Sequence, residues 1–342
     1  MIIISWNVRG VGSKQKRRLI KESVGRRNPD VLYFQETKVP FFKDDLMATL
    51  WKAKDAKWVS LNTTGSAGGI LVAWKSSEWD LEHSWVGVFS VSVILQDKSA
   101  KFQCLISAVY GPTLNARRSE FWDELTASRQ SFSGPCCIVG DFSITRFPEE
   151  HSWSRKPSLA MTVFSDWIEK QELVNLPLLG AKFTWTNGRL NSILSRLDRF
   201  LVSPEWLEAF PSVSQLALPR TTSDHCPILL PEDDNDWGPK PFRFNSSWLL
   251  IEGFSKQISE WWSSFQVEGF GGHGLLAKLR LLKNNLKQWK KSILHKRENE
   301  MDFILPELQK IDADSELWTM SSEVLGQRIQ LIQSISTRDS GK

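Results

Sequence analysis

At 342 residues, with 41% hydrophobic and 24% charged residues, the chain is long enough for one large or two modest domains with a sizeable core, and its composition is that of an ordinary globular protein. A formal charge of +4 is too small to demand an anionic partner, so the placement of charge matters more than its sum. Four cysteines without a CxxC pair or an even framework exclude a disulfide scaffold and point to free thiols in a reducing compartment.

The opening MIIISWNVRG has three apolar residues, then Trp, Asn and Arg. It is too short for a secretory signal or a membrane span and reads as a first strand, so the sequons at Asn62 and Asn245 carry no weight. IIISWNV and DVLYFQE (30–36) are β-rich runs on either side of KQKRRLIKESVGRR, which has helical spacing. From Lys57 to Tyr110 come successive strands, KWVSL, GGILVAW, FSVSVIL and KFQCLISAVYG. GSAGG (65–69) precedes a strand rather than a helix, which makes it a hairpin turn and not a phosphate loop. A helical RRSEFWDELTA leads to a strand at 136–141, followed by a helix over 158–173, a strand KFTWT (182–186) and RLDRFLVS (196–203). Strand runs with helices between them predict an α/β fold of two packed sheets covered by helices.

PEDDNDWGPKP (231–241) has the composition of a linker. The expected division is therefore a first domain over 1–230, a linker over 231–243 and a helical region over 244–342. In that region Leu275, Leu279, Leu282, Leu286, Trp289 and Ile293 form a heptad seam, able to pack within the chain or to mediate self-association. Residues 275–297 also hold eight Lys/Arg and no acid. This is either a solvated basic face or a nucleic-acid contact, with Lys278, Lys283, Lys287, Lys290 and Lys291 as its candidates. Pro306 reads as the end of that helix, and a weaker seam at Leu325, Ile329 and Ile332 follows.

Several polar residues stand at or just past the ends of apolar strands, where open sheets present ligands: Asn7, Glu36, Tyr110, Asp141, Asp198 and the pair Asp224-His225. Each alone has an ordinary structural explanation, such as an Asx turn, a cap or a local ion pair. Together they suit phosphodiester hydrolysis. Asn7 and Glu36 offer oxygens to a hard divalent cation, and Asp141 suits the activation of water. His225 and Tyr110 can donate to charge developing on phosphate oxygens, and either Asp198 or Asp224 can hold the imidazole charged.

SWNVRG, QE, YGP, GDF, RLDRFLVS and SDHCPILL, in this order, resemble the endonuclease/exonuclease/phosphatase superfamily. More narrowly, they resemble the apurinic-like endonuclease domain of plant LINE-type (non-LTR) retrotransposons. The likeness runs from Met1 to about Leu230, and PFRFNSSWLLIEGF onward is similar to the segment preceding the reverse transcriptase there. It implies a four-layered sandwich of two mixed β-sheets between helices, followed by an α-helical region. It also implies Mg²⁺ (or Mn²⁺) held by Glu36 and Asn7, and Asp141 orienting the nucleophilic water. His225 would stabilise the transition state with Asp198 as partner, Tyr110 would touch the scissile phosphate, and Asp224 would assist metal or leaving group. The implied substrate is double-stranded DNA, nicked in the nucleus to leave a 3′-hydroxyl, with no membrane partner. KQKRR (14–18) reads as a helix face rather than a nuclear signal.

The sequence departs from the family in two ways. Ser143 replaces the asparagine of Gly-Asp-Phe/Leu-Asn, which trades a long two-donor amide for one short hydroxyl. No reverse transcriptase follows within these 342 residues, as expected of a truncated copy. The expected activity is a DNA endonuclease weakened at Ser143. The alternatives are a catalytically inactive relic that folds and binds nucleic acid, and the same chemistry on a phosphoinositide, sphingolipid or poly(A) substrate; RLDRFLVS and SDHCPILL favour the endonuclease branch over this last one.

Overall fold

The computed structural model describes residues 1–63, 68–99, 102–153, 156–189, 192–211, 213–231, 253–265, 304–313 and 321–337, together with 275, 278–279, 281–286 and 288–289. The strands are β1 (Ile3–Asn7), β2 (Val31–Gln35), β3 (Ala56–Leu61), β4 (Ile70–Lys75), β5 (Trp79–Val86), β6 (Ser90–Asp97), β7 (Gln103–Tyr110), β8 (Cys136–Asp141), β9 (Val174–Asn175), β10 (Leu178–Leu179), β11 (Trp185–Thr186), β12 (Leu194–Ser195), β13 (Asp198–Val202), β14 (Gln215–Ala217) and β15 (Ile228–Leu230). They form a seven-stranded sheet of order β10-β14-β15-β1-β2-β4-β3, a six-stranded sheet of order β5-β6-β7-β8-β13-β9, and a small β11-β12 ribbon. Both large sheets are mixed: β1 runs parallel to β2 and β7 to β8, while β1–β15 and β8–β13 are antiparallel.

Period-two alternation sorts the side chains into layers. Ile3, Val31, Tyr33, Val72, Val91, Ile106, Val139 and Phe200 fill the space between the sheets. Ile4, Trp6, Leu32 and Phe34 turn outward, where Ile20 and Val24 of α1 (Lys14–Gly25) and Met47 and Leu50 of α2 (Asp44–Leu50) cover them. On the other sheet Leu105, Cys136, Ile138 and Leu201 meet Phe121 and Leu125 of α3 (Arg118–Gln130) and Phe164 and Ile168 of α4 (Leu159–Lys170). The expected sandwich of two helix-covered sheets is therefore observed. Ser13 and Ser158 start α1 and α4 by accepting amide hydrogen bonds from Lys16 and Met161, satisfying donors that a helix start leaves open.

The chain divides into two compact units, Met1–Asp233 with Pro306–Lys342, and Asp234–Leu305. Within the second, Leu282, Leu286 and Trp289 pack on Phe254, Ile258 and Trp261 of the helix Phe254–Ser264, while Leu275 and Leu279 stay exposed. Pro306 lies in the helical stretch 304–313, and the residues just before that stretch, where the preceding helix was expected to end, lie outside the described residues. One local expectation is corrected. Of KFTWT only Trp185–Thr186 is paired as a strand. No helix among the described residues is long and apolar enough to cross a membrane.

Candidate active site

The alternation that builds the inter-sheet core also ends it. Along β8 the inward residues are Cys137 and Val139, so the next inward position is Asp141. On β13 they are Phe200 and Val202, which puts Asp198 at the same end. Register places Asp141 opposite both Tyr110 of β7 and Asp198 of β13, and Asn7 of β1 opposite Gln35 of β2. Gly140 makes the approach possible. Its φ is +141°, and a Cβ there would lie 2.2 Å from the Val109 carbonyl and 3.1 Å from Gln35 Nε2.

Asp141 is buried and held by two donors, Asn7 Nδ2 to Oδ2 at 2.8 Å and the Ser143 amide to Oδ1 at 2.7 Å. Burial pushes its pKa up to about 6, with Asp198 adding to the rise and the charge of His225 opposing it. His225 is buried too, with Nδ1 2.9 Å from Asp198 Oδ2 and Nε2 3.7 Å from Asp141 Oδ2. Burial disfavours the imidazolium, but the carboxylates of Asp198 and Asp141 outweigh it and raise the pKa to about 9. At neutral pH the ring is therefore a cation whose Nδ1–H donates to Asp198.

Several neighbours fix this arrangement. Thr184 Oγ1 accepts from the Leu197 and Asp198 amides, and Trp6 Nε1 donates to the His225 carbonyl. Ser223 Oγ donates to the Asn7 carbonyl and accepts from the His225 amide. Arg196 and Arg199, the sequence neighbours able to neutralise Asp198, turn instead to Glu150, at 3.6 and 2.9 Å. Asp198 is thus left to His225.

Glu36 stands one residue past β2, with φ +53°, and its carboxylate is only 10% exposed. It pairs with Lys38 at 2.9 Å and Arg9 at 3.7 Å. Asp224 accepts from Arg9 Nη1 and, at 2.9 Å, from Trp185 Nε1. Asn7 Oδ1 accepts from the Arg9 amide at 3.2 Å. Burial, with the negative charges of Glu36 and Asp141, raises the Tyr110 pKa well above its ordinary value, so its hydroxyl remains a donor. Ser143 follows in the left-handed region, φ +52°, its hydroxyl 3.5 Å from Asp141 Oδ1.

Two groups of side chains have the chemistry to ligate a metal. Asp141, Asp198 and His225 offer atoms within 4.8 Å of one another, and His225 would have to give up a ring proton to ligate. Asn7, Glu36 and Asp224 supply oxygen only, the preference of a hard cation; the two carboxylates are met by the cationic side chains of Arg9 and Lys38, and Asn7 Oδ1 by the Arg9 backbone amide. Sequence reading passed over Arg9, Lys38, Gln35, Thr184 and Trp185. All five lie within three residues of a predicted site residue or inside a predicted strand; Lys38 meets its near neighbour Glu36, while Arg9, Gln35, Thr184 and Trp185 reach partners in distant segments. In the basic segment, Lys278 lies over the Trp262 ring at 5.6 Å and Lys283 is exposed; Lys287, Lys290 and Lys291 lie outside the described residues.

Comparison with known proteins adds an independent finding. The sequence pattern of the "Endonuclease/Exonuclease/phosphatase family" matches residues 4–225. A DNA-(apurinic or apyrimidinic site) endonuclease of Dictyostelium discoideum is 26% identical over 265 residues, covering 67% of this chain and 69% of that protein. Among solved structures, the endonuclease domain of TRAS1, a telomere-specific non-LTR retrotransposon, matches with a TM-score of 0.54 at 11% identity, over 69% of this chain and 99% of that one. AP endonuclease LMAP from Leishmania major matches with a TM-score of 0.52 at 16% identity, over 67% and 86%. At these identities the structural likenesses establish the fold.

Proposed function

The chain belongs to the endonuclease/exonuclease/phosphatase family, and from that we propose that it is a Mg²⁺-dependent phosphodiesterase (Mn²⁺ substituting) that nicks double-stranded DNA in the manner of LINE-type retrotransposon endonucleases. The observation that carries the reading is the pairing of Asp141, its pKa near 6, with the charged His225–Asp198 pair across a gap of 3.7 Å. One group is a base poised near neutrality and the other a buried cation, which is the division of labour that hydrolysis of a phosphodiester anion needs.

In this reading water attacks phosphorus in line with the O3′ leaving group, and Asp141 takes the proton the water loses. The P–O3′ bond breaks, and the 3′-oxygen takes a proton from solvent to become a 3′-hydroxyl, while Asp141 returns its own to solvent. The Asn7 and Ser143 donors keep the Asp141 carboxylate aimed. His225 Nε2–H and the Tyr110 hydroxyl donate to the phosphate oxygens as charge accumulates. Glu36, Asn7 and Asp224 would hold the divalent ion, whose chemistry is Lewis-acid stabilisation of negative charge on oxygen. Lys278, Lys283, Lys287, Lys290 and Lys291 would add contacts to the DNA backbone, and the work would lie in the nucleus. The exposed Leu275 and Leu279 would give the seam over 275–293 a surface for self-association.

Supercoiled-plasmid nicking with Mg²⁺ tests the reading. The wild type should nick, and Asp141→Ala should be slower by about a hundred- to ten-thousandfold, the usual worth of a positioned general base. If Ser143→Asn nicks and the wild type does not, this chain is an inactive relative on a sound scaffold. If neither nicks while both are folded, the hydrolase reading fails and nucleic-acid binding alone remains.

A further inference from the structure

We infer that Arg9 sets the metal affinity of this site by competing for its donor atoms, and so couples cation loading to the arrival of a phosphodiester. The inference rests on the reading of Asn7, Glu36 and Asp224 as the metal donors.

The Arg9 guanidinium occupies both carboxylates: its Nε lies 3.7 Å from Glu36 Oε2, and its Nη1 donates to Asp224 Oδ2. Its backbone amide, which stays when the side chain moves, donates to Asn7 Oδ1 at 3.2 Å. The local backbone turns it there: φ is +47° at Arg9 and +89° at Gly10. Lys16 Nζ donates to the Arg9 carbonyl at 3.0 Å and so holds the loop. Lys38 holds the other Glu36 oxygen at 2.9 Å. Two carboxylates thus meet two protein cations, and a divalent ion arrives at a cluster that is already neutral. It binds only by displacing those contacts.

The Arg9 side chain is 48% exposed, so it has solvent into which to swing. A guanidinium released from carboxylates finds an equivalent planar, bidentate partner in a phosphodiester. Metal and DNA therefore bind with positive coupling, since the metal frees Arg9 to pair with the phosphodiester and the phosphodiester draws Arg9 off the metal donors, and linkage makes the effect reciprocal. Without substrate the site holds its ion weakly.

Calorimetric titration of Mn²⁺ and Mg²⁺ into the metal-stripped full chain, without DNA, tests this by heat of binding rather than turnover. Arg9→Met should bind the ion about tenfold more tightly, the influence of one unit charge on a divalent ion a few ångströms away even at the dielectric of water. Arg9→Lys should stay near the wild type, because the charge is kept, and Glu36→Gln should bind more weakly. Circular dichroism confirms that each variant is folded. If Arg9→Met binds as the wild type does, or more weakly, while Glu36→Gln weakens, Arg9 is not a competitor and the metal assignment survives. If Glu36→Gln changes nothing, or no variant binds an ion, the metal assignment falls and the inference falls with it.

Discussion

Replacing Ser143 by Asn separates chemistry from backbone strain at one position. Ser143 lies at φ +52°, a region that costs most L-residues roughly 1–2 kcal/mol and that Asn enters more readily. Recovering about half of that strain stabilises the fold by about 0.5–1 kcal/mol, and so raises Tm by about 1–4 °C for a domain of this size. The larger effect is on rate. The serine hydroxyl reaches only Asp141 Oδ1, at 3.5 Å, whereas an asparagine amide is long enough to reach past the carboxylate to the phosphate. One donor to a developing oxyanion contributes about 2.7–4 kcal/mol, a hundred- to thousandfold in rate. Plasmid nicking and thermal melting are compared for the wild type, Ser143→Asn and Ser143→Gly. Glycine relieves the strain without supplying a donor, so it should raise Tm and leave the rate unchanged. An Asn variant that melts higher but nicks no faster, or a glycine variant that gains the same rate, refutes the argument.

The remaining predictions concern the scaffold around that position. His225 binds its proton more tightly folded than unfolded, about 9 against an ordinary 6.5. Its stabilisation is complete below pH 6.5 and disappears as pH rises through about 9, a change of up to about 3 kcal/mol. Urea unfolding with metal removed should show the gap between wild type and His225→Gln closing over that interval; a gap constant with pH argues against a charged imidazole. Gly140→Ala forces a Cβ to 2.2 Å from the Val109 carbonyl and should cost at least about 3 kcal/mol in denaturant unfolding, while an unchanged midpoint would mean the strands part easily. Arg199 is fully buried and donates to Glu150 at 2.9 and 3.2 Å. Arg199→Met should therefore destabilise by about 3–5 kcal/mol in urea unfolding, because it leaves the Glu150 carboxylate underpaired. A loss below about 1 kcal/mol would show that the ion pair contributes little there.

What could be read from the chain alone was what repeats locally. Apolar runs in IIISWNV, KFQCLISAVYG and CCIVGD dictate strands, and the polar residue that breaks each run marks where the strand leaves the core. That is why Asn7, Tyr110 and Asp141 stood out, and they do converge at one end of the two sheets. Partnership was not legible, because it depends on which strands neighbour one another and at what register, and spacing along the chain carries neither. Asn7 reaches Asp141 across 134 residues. The residues taken alone left Asp198 and Asp224 equal as holders of His225, and only the family resemblance pointed to Asp198; packing puts the imidazole against Asp198 and leaves Asp224 to Arg9 and Trp185. Arg9 looked like a charged residue in a loop, yet its left-handed backbone and the stacking of β1 beside β2 bring it onto Glu36 and Asp224 together. Local periodicity is a property of the backbone and survives in the sequence. Electrostatic pairing is a property of distance through space, and only the closing of one sheet on the other decides it.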